Sequence, residues 1–288
     1  MRQSLVPYVL PFLAGFLPVL LQAAEQPRIL VHGHRGARGR MPENTLPAFE
    51  YAIQQGVDAL EMDMAVTKDN VIVISHDPIL ETPVCSGPRN GVVIHQLTLA
   101  EVRQWDCGAV QNPNFHTQKA IPGTRMPTLD DVFHLATRGT FDYNIETKSF
   151  PERPEYTPPP EEFSRMVLEK VRQYKLEKRV ILQSFDFRTL VAMRKLAPEI
   201  RLSALTEIDP RAFTTIAKEA GHAEIVSPYY KLVTADKVAA AHGAGIQVVP
   251  WTVNDPAEWD RLIDARVDAI ISDDPAALIA HLKQRGLR

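Results

Sequence analysis

Residues 246–253 read IQVVPWTV, and residues 179–185 read RVILQSF. Neither stretch alternates cleanly between apolar and polar side chains, which predicts strands buried on both faces, as in a parallel sheet. Short apolar runs of this kind recur along the chain. The candidate strands are 28–33, 59–66, 71–75, 141–146, 179–184, 201–205, 223–226, 246–251 and 268–272. Amphipathic helical patterns lie between most of them, at 44–55, 161–174, 186–196, 211–220, 234–242 and 256–264.

Repeated strand–helix units indicate an α/β protein, and their number favours a closed (β/α)8 TIM barrel over an open doubly wound sheet. No Gly-rich dinucleotide-binding fingerprint follows the first strand, so an open nucleotide fold gains no support. The candidates 59–66 and 71–75 are joined only by residues 67–70, whereas a parallel pair needs a crossover of about a dozen residues. These two strands are therefore antiparallel, or the barrel is locally distorted. The candidate strands also exceed the eight of such a barrel by one, so one of them is not a barrel strand.

The segment 78–127 is a second irregularity. It contains Pro, Gly, Asn and both cysteines, with one short helical pattern at 98–106, and it is too long for an ordinary connection. It predicts a subdomain inserted after the third strand and lying over one end of the barrel. Cys85 and Cys107 either form a disulfide or remain two free thiols.

The composition is that of a globular protein, with 45% hydrophobic residues and a net charge of −3 over 288 residues. No basic run stands out, so a non-specific nucleic-acid binder is not expected. The apolar stretch Leu5–Leu21 predicts a secretory signal peptide over residues 1–24, and hence a periplasmic or secreted protein. A membrane anchor is the alternative, but the stretch is short and rich in proline. The remaining 28–288 read as one domain with no membrane span, and no feature specifies an oligomeric state.

Polar residues follow the candidate strands at their carboxyl ends, which form the active-site face of such a barrel. Glu61 and Asp63 lie two apart on one strand and so share a face, and Glu146 lies on another strand. Three carboxylates converging there would repel one another unless a cation lay between them. Oxygen ligands suit Ca²⁺ or Mg²⁺. The alternative is that these acids pair with Arg and Lys at the barrel rim.

Basic and aromatic residues occupy the same strand ends. His34 and His76 follow different strands and could act as general base and general acid. Arg35 could hold a phosphate by two hydrogen bonds, and Lys148 could add a point charge. Trp251 either lines a pocket for the organic part of a substrate or packs at the top of the barrel.

The pair His32 and His34 allows a rival interpretation, because two histidines one residue apart after the first strand resemble the zinc motif of amidohydrolase barrels. Those enzymes need further histidines after the fifth and sixth strands. Here these positions read Gln183-Ser184 and Ala204-Leu205. We therefore expect His32 to be a barrel residue near the site rather than a metal ligand.

A series of short motifs, taken in order, resembles the glycerophosphodiester phosphodiesterase family. Each motif alone is weak, but together they span nearly the whole chain after residue 28. The motifs are His34-Arg35-Gly36, Pro42-Glu43-Asn44-Thr45, Glu61-Met62-Asp63, His76-Asp77, Pro127-Thr128-Leu129, Asn144-Ile145-Glu146-Thr147-Lys148, Gln183-Ser184-Phe185, Trp251-Thr252-Val253-Asn254 and the closing DAIISDDP of residues 268–275.

The resemblance implies a distorted (β/α)8 barrel with the insertion described above, and it assigns roles within the site. It implies Ca²⁺ or Mg²⁺ bound by Glu61, Asp63 and Glu146. It implies His34 and His76 as the acid–base pair, and Arg35 and Lys148 on the phosphate. Glu43 matches a family position that lies either near the metal or against Arg35. The long insertion and the secretion signal look most like the periplasmic branch.

The implied reaction is metal-dependent hydrolysis of a small glycerophosphodiester to glycerol 3-phosphate and an alcohol, through a cyclic phosphate. By analogy with phosphatidylinositol-specific phospholipase C barrels, we assign His34 as the base and His76 as the acid. One alternative is a lysophospholipase D-type or cyclising lyase that acts on lipid substrates. Another is a non-catalytic barrel that binds a polyol phosphate.

Overall fold

A computed structural model of the chain describes Met1 and residues 28–288. Apart from Met1, the predicted signal peptide therefore lies outside the described residues. The strands are β1 (Leu30–Gly33), β2 (Ala59–Val66), β3 (Ile72–Ile74), β4 (Ile79–Leu80), β5 (Val92–Val93), β6 (Asp142–Thr147), β7 (Val180–Ser184), β8 (Arg201–Thr206), β9 (Ile225–Pro228), β10 (Gln247–Val248) and β11 (Ala269–Ser272). The α-helices are α1 (Leu46–Gln55), α2 (Leu99–Val102), α3 (Leu129–Phe133), α4 (Pro160–Tyr174), α5 (Phe187–Leu196), α6 (Phe213–Glu219), α7 (Ala235–Gly243), α8 (Pro256–Asp264) and α9 (Pro275–Gln284).

The main sheet is a parallel barrel, which confirms the predicted fold. Its strands follow the order β10-β9-β8-β7-β6-β2-β1-β11. Hydrogen bonds from Asp268 N to Val248 O and from Ile271 N to Pro250 O, both 3.0 Å, join the two ends of this order, β11 and β10, and nearly close the barrel. The strand predicted over 246–251 ends at Val248 instead. Pro250 has no N–H to donate, so the regular ladder cannot continue through it.

β3 is the candidate strand that stays outside the barrel. It pairs antiparallel with β2, with Met64 opposite Ile74 and Val66 opposite Ile72. Asn70 has a φ of 59°, a left-handed conformation that Asn tolerates better than most residues. The short connection is thus a tight reversal, and the antiparallel alternative is correct.

The outer helices pack against the barrel through a continuous apolar core. Each of the six predicted helices is present, with bounds shifted by one or two residues in most cases. α3 and α9 were not predicted, and the pattern at 98–106 yields only the single turn of α2. A smaller apolar cluster, which includes Ile181 and Ile225, fills the barrel beneath its polar end. Ile181 lies two residues before Gln183 on β7, so both side chains point to the same face of the strand.

The inserted segment packs on the barrel through a second apolar core, in which Leu80, Ile94 and Trp105 join Ala65 of β2 and Val73 of β3. β4 and β5 form a separate two-stranded antiparallel sheet in it. Cys85 and Cys107 are bonded to each other, which decides between the two alternatives left open by the sequence.

Candidate active site

A cavity of about 100 Å³ opens at the carboxyl ends of the barrel strands. Its lining combines polar and charged residues with apolar ones. Lys148 and Glu43 are the predicted site residues that do not line it directly. The lining residues are His34, Arg35, Arg38, Glu61, Asp63, His76, Glu146, Gln183, Phe185, Leu205, Trp251, Thr252 and Ile271.

Glu61, Asp63 and Glu146 form the floor of this cavity. Asp63 on β2 lies directly opposite Glu146 on β6, because the two strands pair in parallel register. Glu61 lies two residues before Asp63 and points to the same side. One carboxylate oxygen from each residue lies within 4.8 Å of the other two, and all three side chains are buried. The structure therefore brings the three predicted ligands together.

The pKa values of these three carboxyl groups are shifted from their ordinary values. Burial raises the pKa of Glu61 and of Glu146, and neighbouring carboxylates raise both further. Burial would also raise the pKa of Asp63, but the charges of His76, Arg35 and Lys148 outweigh it and hold that pKa below its usual value. Such crowding of buried oxygen ligands fits a hard divalent cation, whose charge would relieve the repulsion.

Arg35 and Lys148 already have carboxylate partners. Arg35 Nη1 donates to Glu43 Oε1 at 2.6 Å, and its Nε lies 3.4 Å from Asp63 Oδ2. Lys148 Nζ lies 3.0 Å from Glu146 Oε1. Of the two positions open for Glu43, the structure gives the contact with Arg35. Each cation thus contacts one member of the carboxylate cluster, Arg35 at Asp63 and Lys148 at Glu146.

A tight turn after β1 directs Arg35 into the site. Arg35 has a φ of 49° and Gly36 a φ of 83°. A Cβ on Gly36 would lie 2.7 Å from the carbonyl carbon of Ala48, so no side chain fits there. The turn also lets Arg35 N donate to Glu61 Oε2 at 2.8 Å.

The two histidines face the carboxylates from different strands. His34 Nδ1 lies 2.6 Å from Asp273 Oδ1, and its Nε2 lies 3.9 Å from Glu61 Oε2. Burial and the charge of Arg38 lower the pKa of His34 to about 4, although Asp273 opposes this shift. His76 Nδ1 lies 2.8 Å from Asp77 Oδ1, and 32% of the His76 side chain is exposed. His34 is thus buried, whereas His76 lies at the solvent side of the cavity.

Three polar partners of the site were not predicted as functional residues. Asn44 Nδ2 donates to Asp63 Oδ2 at 2.9 Å, and Gln183 Nε2 donates to Glu61 Oε1 at 2.7 Å. Asp273 is the partner of His34. All three stand inside motifs quoted above, so their positions in the sequence were visible, but nothing in the sequence indicated which side chain each would contact.

The structure shows whether His32 joins the possible metal ligands, and whether Trp251 lines a pocket or packs at the top of the barrel. His32 is buried, which lowers its pKa to about 4, and its Nδ1 lies 3.4 Å from Asn144 Nδ2. It does not belong to the carboxylate cluster, as expected for a barrel residue. Trp251 lines the cavity and also packs, because its Nε1 donates to Ser227 O at 2.8 Å and its ring lies 5.4 Å from that of Phe185.

Comparison with known proteins gives consistent matches. A family model described as the glycerophosphoryl diester phosphodiesterase family matches residues 34–277. A glycerophosphodiester phosphodiesterase of Caldanaerobacter subterraneus subsp. tengcongensis is 31% identical over 267 residues, which cover 90% of this chain and 100% of that protein.

Two solved structures are similar over most of the chain. A Silicibacter pomeroyi protein assigned as a glycerophosphoryl diester phosphodiesterase has a TM-score of 0.84 and 31% identity, covering 90% of this chain and 95% of that one. An Oleispira antarctica phosphodiesterase, solved with its product sn-glycerol-3-phosphate, has a TM-score of 0.76 and 25% identity, covering 89% and 97%.

Proposed function

The chain belongs to the glycerophosphoryl diester phosphodiesterase family and is a hydrolase of glycerophosphodiesters, and we propose that it releases sn-glycerol 3-phosphate and a free alcohol. The product found in the Oleispira antarctica relative supports the first of these products. The observation that carries the proposal is the buried carboxylate cluster with a histidine on each side of it. A small cavity with charged groups among its lining residues suits a phosphodiester head rather than a large ligand.

Glu61, Asp63 and Glu146 would hold a divalent cation, Ca²⁺ or Mg²⁺, which supplies positive charge where negative charge develops on the phosphoryl oxygens. Arg35 and Lys148 would bind the phosphate, since each places a positive charge beside these carboxylates. Trp251, one of the apolar residues that line the cavity, would contact the organic part of the substrate.

The histidines would move the protons. In the first step, His34 Nε2 would accept the proton of the free glycerol hydroxyl as that oxygen attacks phosphorus. His76, at the solvent side, would protonate the departing alcohol. In the second step, water would open the cyclic phosphate with the roles exchanged. The buried position of His34 and the exposed position of His76 support this order.

A substrate panel tests the reaction directly. Glycerophosphodiesters of choline, ethanolamine and glycerol would be assayed after exhaustive chelation, and again with Ca²⁺ or Mg²⁺ added separately. We expect turnover only with added metal, and phosphorus NMR should show sn-glycerol 3-phosphate as the final product. Full activity after chelation would contradict metal dependence. Accumulation of the cyclic phosphate as the end product would indicate the cyclising lyase, and binding without turnover would indicate a polyol-phosphate-binding barrel.

We also propose that the protein is exported, to the periplasm or outside the cell, as a member of the periplasmic branch of the family. The apolar segment Leu5–Leu21 supports export, and so does the Cys85–Cys107 disulfide, because such bonds persist in oxidising compartments. Within 28–288, no helix has the length and apolar character needed to cross a bilayer.

Cell fractionation of the full-length chain in a bacterial host tests the export proposal. We expect a form processed near residue 24 in the periplasmic or secreted fraction, with the disulfide intact by mass spectrometry. A matched chain lacking residues 2–24 should stay in the cytosol. Recovery of the unprocessed full-length chain in the cytosol would contradict export, and its recovery in the membrane would favour the anchor.

A further inference from the structure

The loop 38–40 lies between the inserted segment and Asp273, the partner of His34. Residues 117–119 of the insertion bind the backbone of this loop through three hydrogen bonds of 2.7–2.9 Å. On the other side, Gly39 N donates to Asp273 O at 2.9 Å. A Cβ on Gly39 would lie 2.9 Å from that same oxygen, so the approach requires glycine. The loop is thus fixed between the insertion and the closing motif.

The side chain of Arg38 spans the same two partners. Its guanidinium lies over the ring of Phe115, 5.1 Å from the centroid, and its Nε donates to Asp273 Oδ1 at 2.5 Å. That one carboxylate oxygen is also 2.6 Å from His34 Nδ1. Asn254 Nδ2 donates to the second oxygen, Oδ2, at 2.7 Å. Both oxygens of Asp273 are therefore held, and the carboxylate is not free to turn.

This arrangement determines which nitrogen of His34 carries the proton. The guanidinium of Arg38 donates to one oxygen of Asp273 and the amide of Asn254 donates to the other, so Asp273 is held as an ionised acceptor. The ionised carboxylate can only accept, so Nδ1 of neutral His34 must donate. Nε2 is then left with its lone pair on the side of Glu61.

We propose that the insertion positions His34 for proton transfer, through Phe115, Arg38 and Asp273 in sequence. Phe115 holds the guanidinium of Arg38, Arg38 holds the carboxylate of Asp273, and Asp273 fixes the ring and the tautomer of His34. The three are positioning residues in this proposal, because Phe115 contacts Arg38, Arg38 contacts Asp273 and Asp273 contacts His34. The inference rests on the proposed function, because it concerns the same proton transfer. It makes the insertion a part of the catalytic apparatus.

Steady-state kinetics on Phe115→Leu, Arg38→Met, Arg38→Lys and the double variant Phe115→Leu/Arg38→Met test the connection. The control is Tyr156→Leu, because Tyr156 is a half-buried ring with the guanidinium of Arg153 at 5.3 Å but does not line the cavity. We expect Phe115→Leu to lower kcat about three- to tenfold, with KM and the metal requirement unchanged. Arg38→Met should lower kcat further, Arg38→Lys should recover part of the loss, and the double variant should be no worse than Arg38→Met.

Several outcomes would overturn the proposal. They are a normal kcat in Phe115→Leu, an equal loss in Tyr156→Leu, or losses that add in full in the double variant. A rise in KM with normal kcat would instead make Arg38 a direct substrate contact, and would also overturn it.

Histidine-selective ¹⁵N NMR provides a readout that needs no turnover, with the His34 signal assigned through His34→Gln. We expect the Nδ1-protonated tautomer in the wild type and a mixture of tautomers in Phe115→Leu and Asp273→Asn. If the wild-type protein shows no turnover but the tautomer pattern is as expected, the proposed function is refuted and the positioning of His34 is not. The same tautomer in the wild type and in both variants would refute the positioning of His34.

Discussion

Asp63→Asn should lower kcat/KM for a glycerophosphodiester by about a thousandfold or more, with the fold retained. Asp63 is the member of the cluster whose pKa is held below its usual value, so it is the most firmly ionised of the three acids. It also lies within 4.0 Å of both Lys148 Nζ and Arg35 Nε. An amide of the same shape removes this charge and leaves the two cations unbalanced, which should weaken the binding of a divalent cation.

The measurement is kcat/KM as a function of added Ca²⁺ or Mg²⁺, together with calorimetric titration of the metal alone. Asp142→Asn is a matched control, because Asp142 lies on β6 with Glu146 but pairs with Arg201 at the amino end of the strand. That end of a barrel contributes to stability rather than to catalysis. Its kcat/KM should stay within about twofold of the wild type. Normal metal-dependent turnover in Asp63→Asn would contradict the assignment of the cluster.

Much of the barrel was predictable because its signals are local. An apolar run such as 179–184 indicates a buried strand wherever the chain takes it, and the two-residue period places Glu61 and Asp63 on one side. The carboxyl ends of parallel strands meet at one end of a barrel, so the gathering of the three acids followed from the fold class. The length of the 67–70 connection left two possibilities for β3, an antiparallel pairing with β2 or a locally distorted barrel. The structure shows the antiparallel pairing.

Contacts between distant parts of the chain were not predictable in this way. His34 and Asp273 are 239 residues apart and meet only because β11 pairs with β1. The contact of Arg38 with Phe115 depends on how the insertion folds back, and no periodic pattern marks that path. The contact of Arg35 with Glu43 differs from these, because the family resemblance already offered it as one of two alternatives and the structure shows it.

His34→Ala and His76→Ala should each lower kcat for glycerophosphocholine by about 10²- to 10⁴-fold while metal binding survives. Neither imidazole belongs to the carboxylate cluster, so the loss should fall on proton transfer rather than on the metal site. His242→Ala is the control, because His242 pairs with Asp268 at 2.9 Å and does not line the cavity. Near-normal turnover of either catalytic variant would remove that histidine from the mechanism.

A substrate with a weakly basic leaving group separates the roles of the two histidines. The p-nitrophenyl ester of glycerol 3-phosphate releases an anion that needs little protonation, so the loss of a general acid should matter little in the first step. If His76 is that acid, His76→Ala should release p-nitrophenol at close to the wild-type rate, and His34→Ala should remain slow. The second step still needs His76 to activate water, so the cyclic phosphate should then accumulate and be visible by phosphorus NMR. The variant that keeps a near-normal rate with the p-nitrophenyl substrate is the one that lacks the general acid. If that variant is His34→Ala and not His76→Ala, the two roles are reversed.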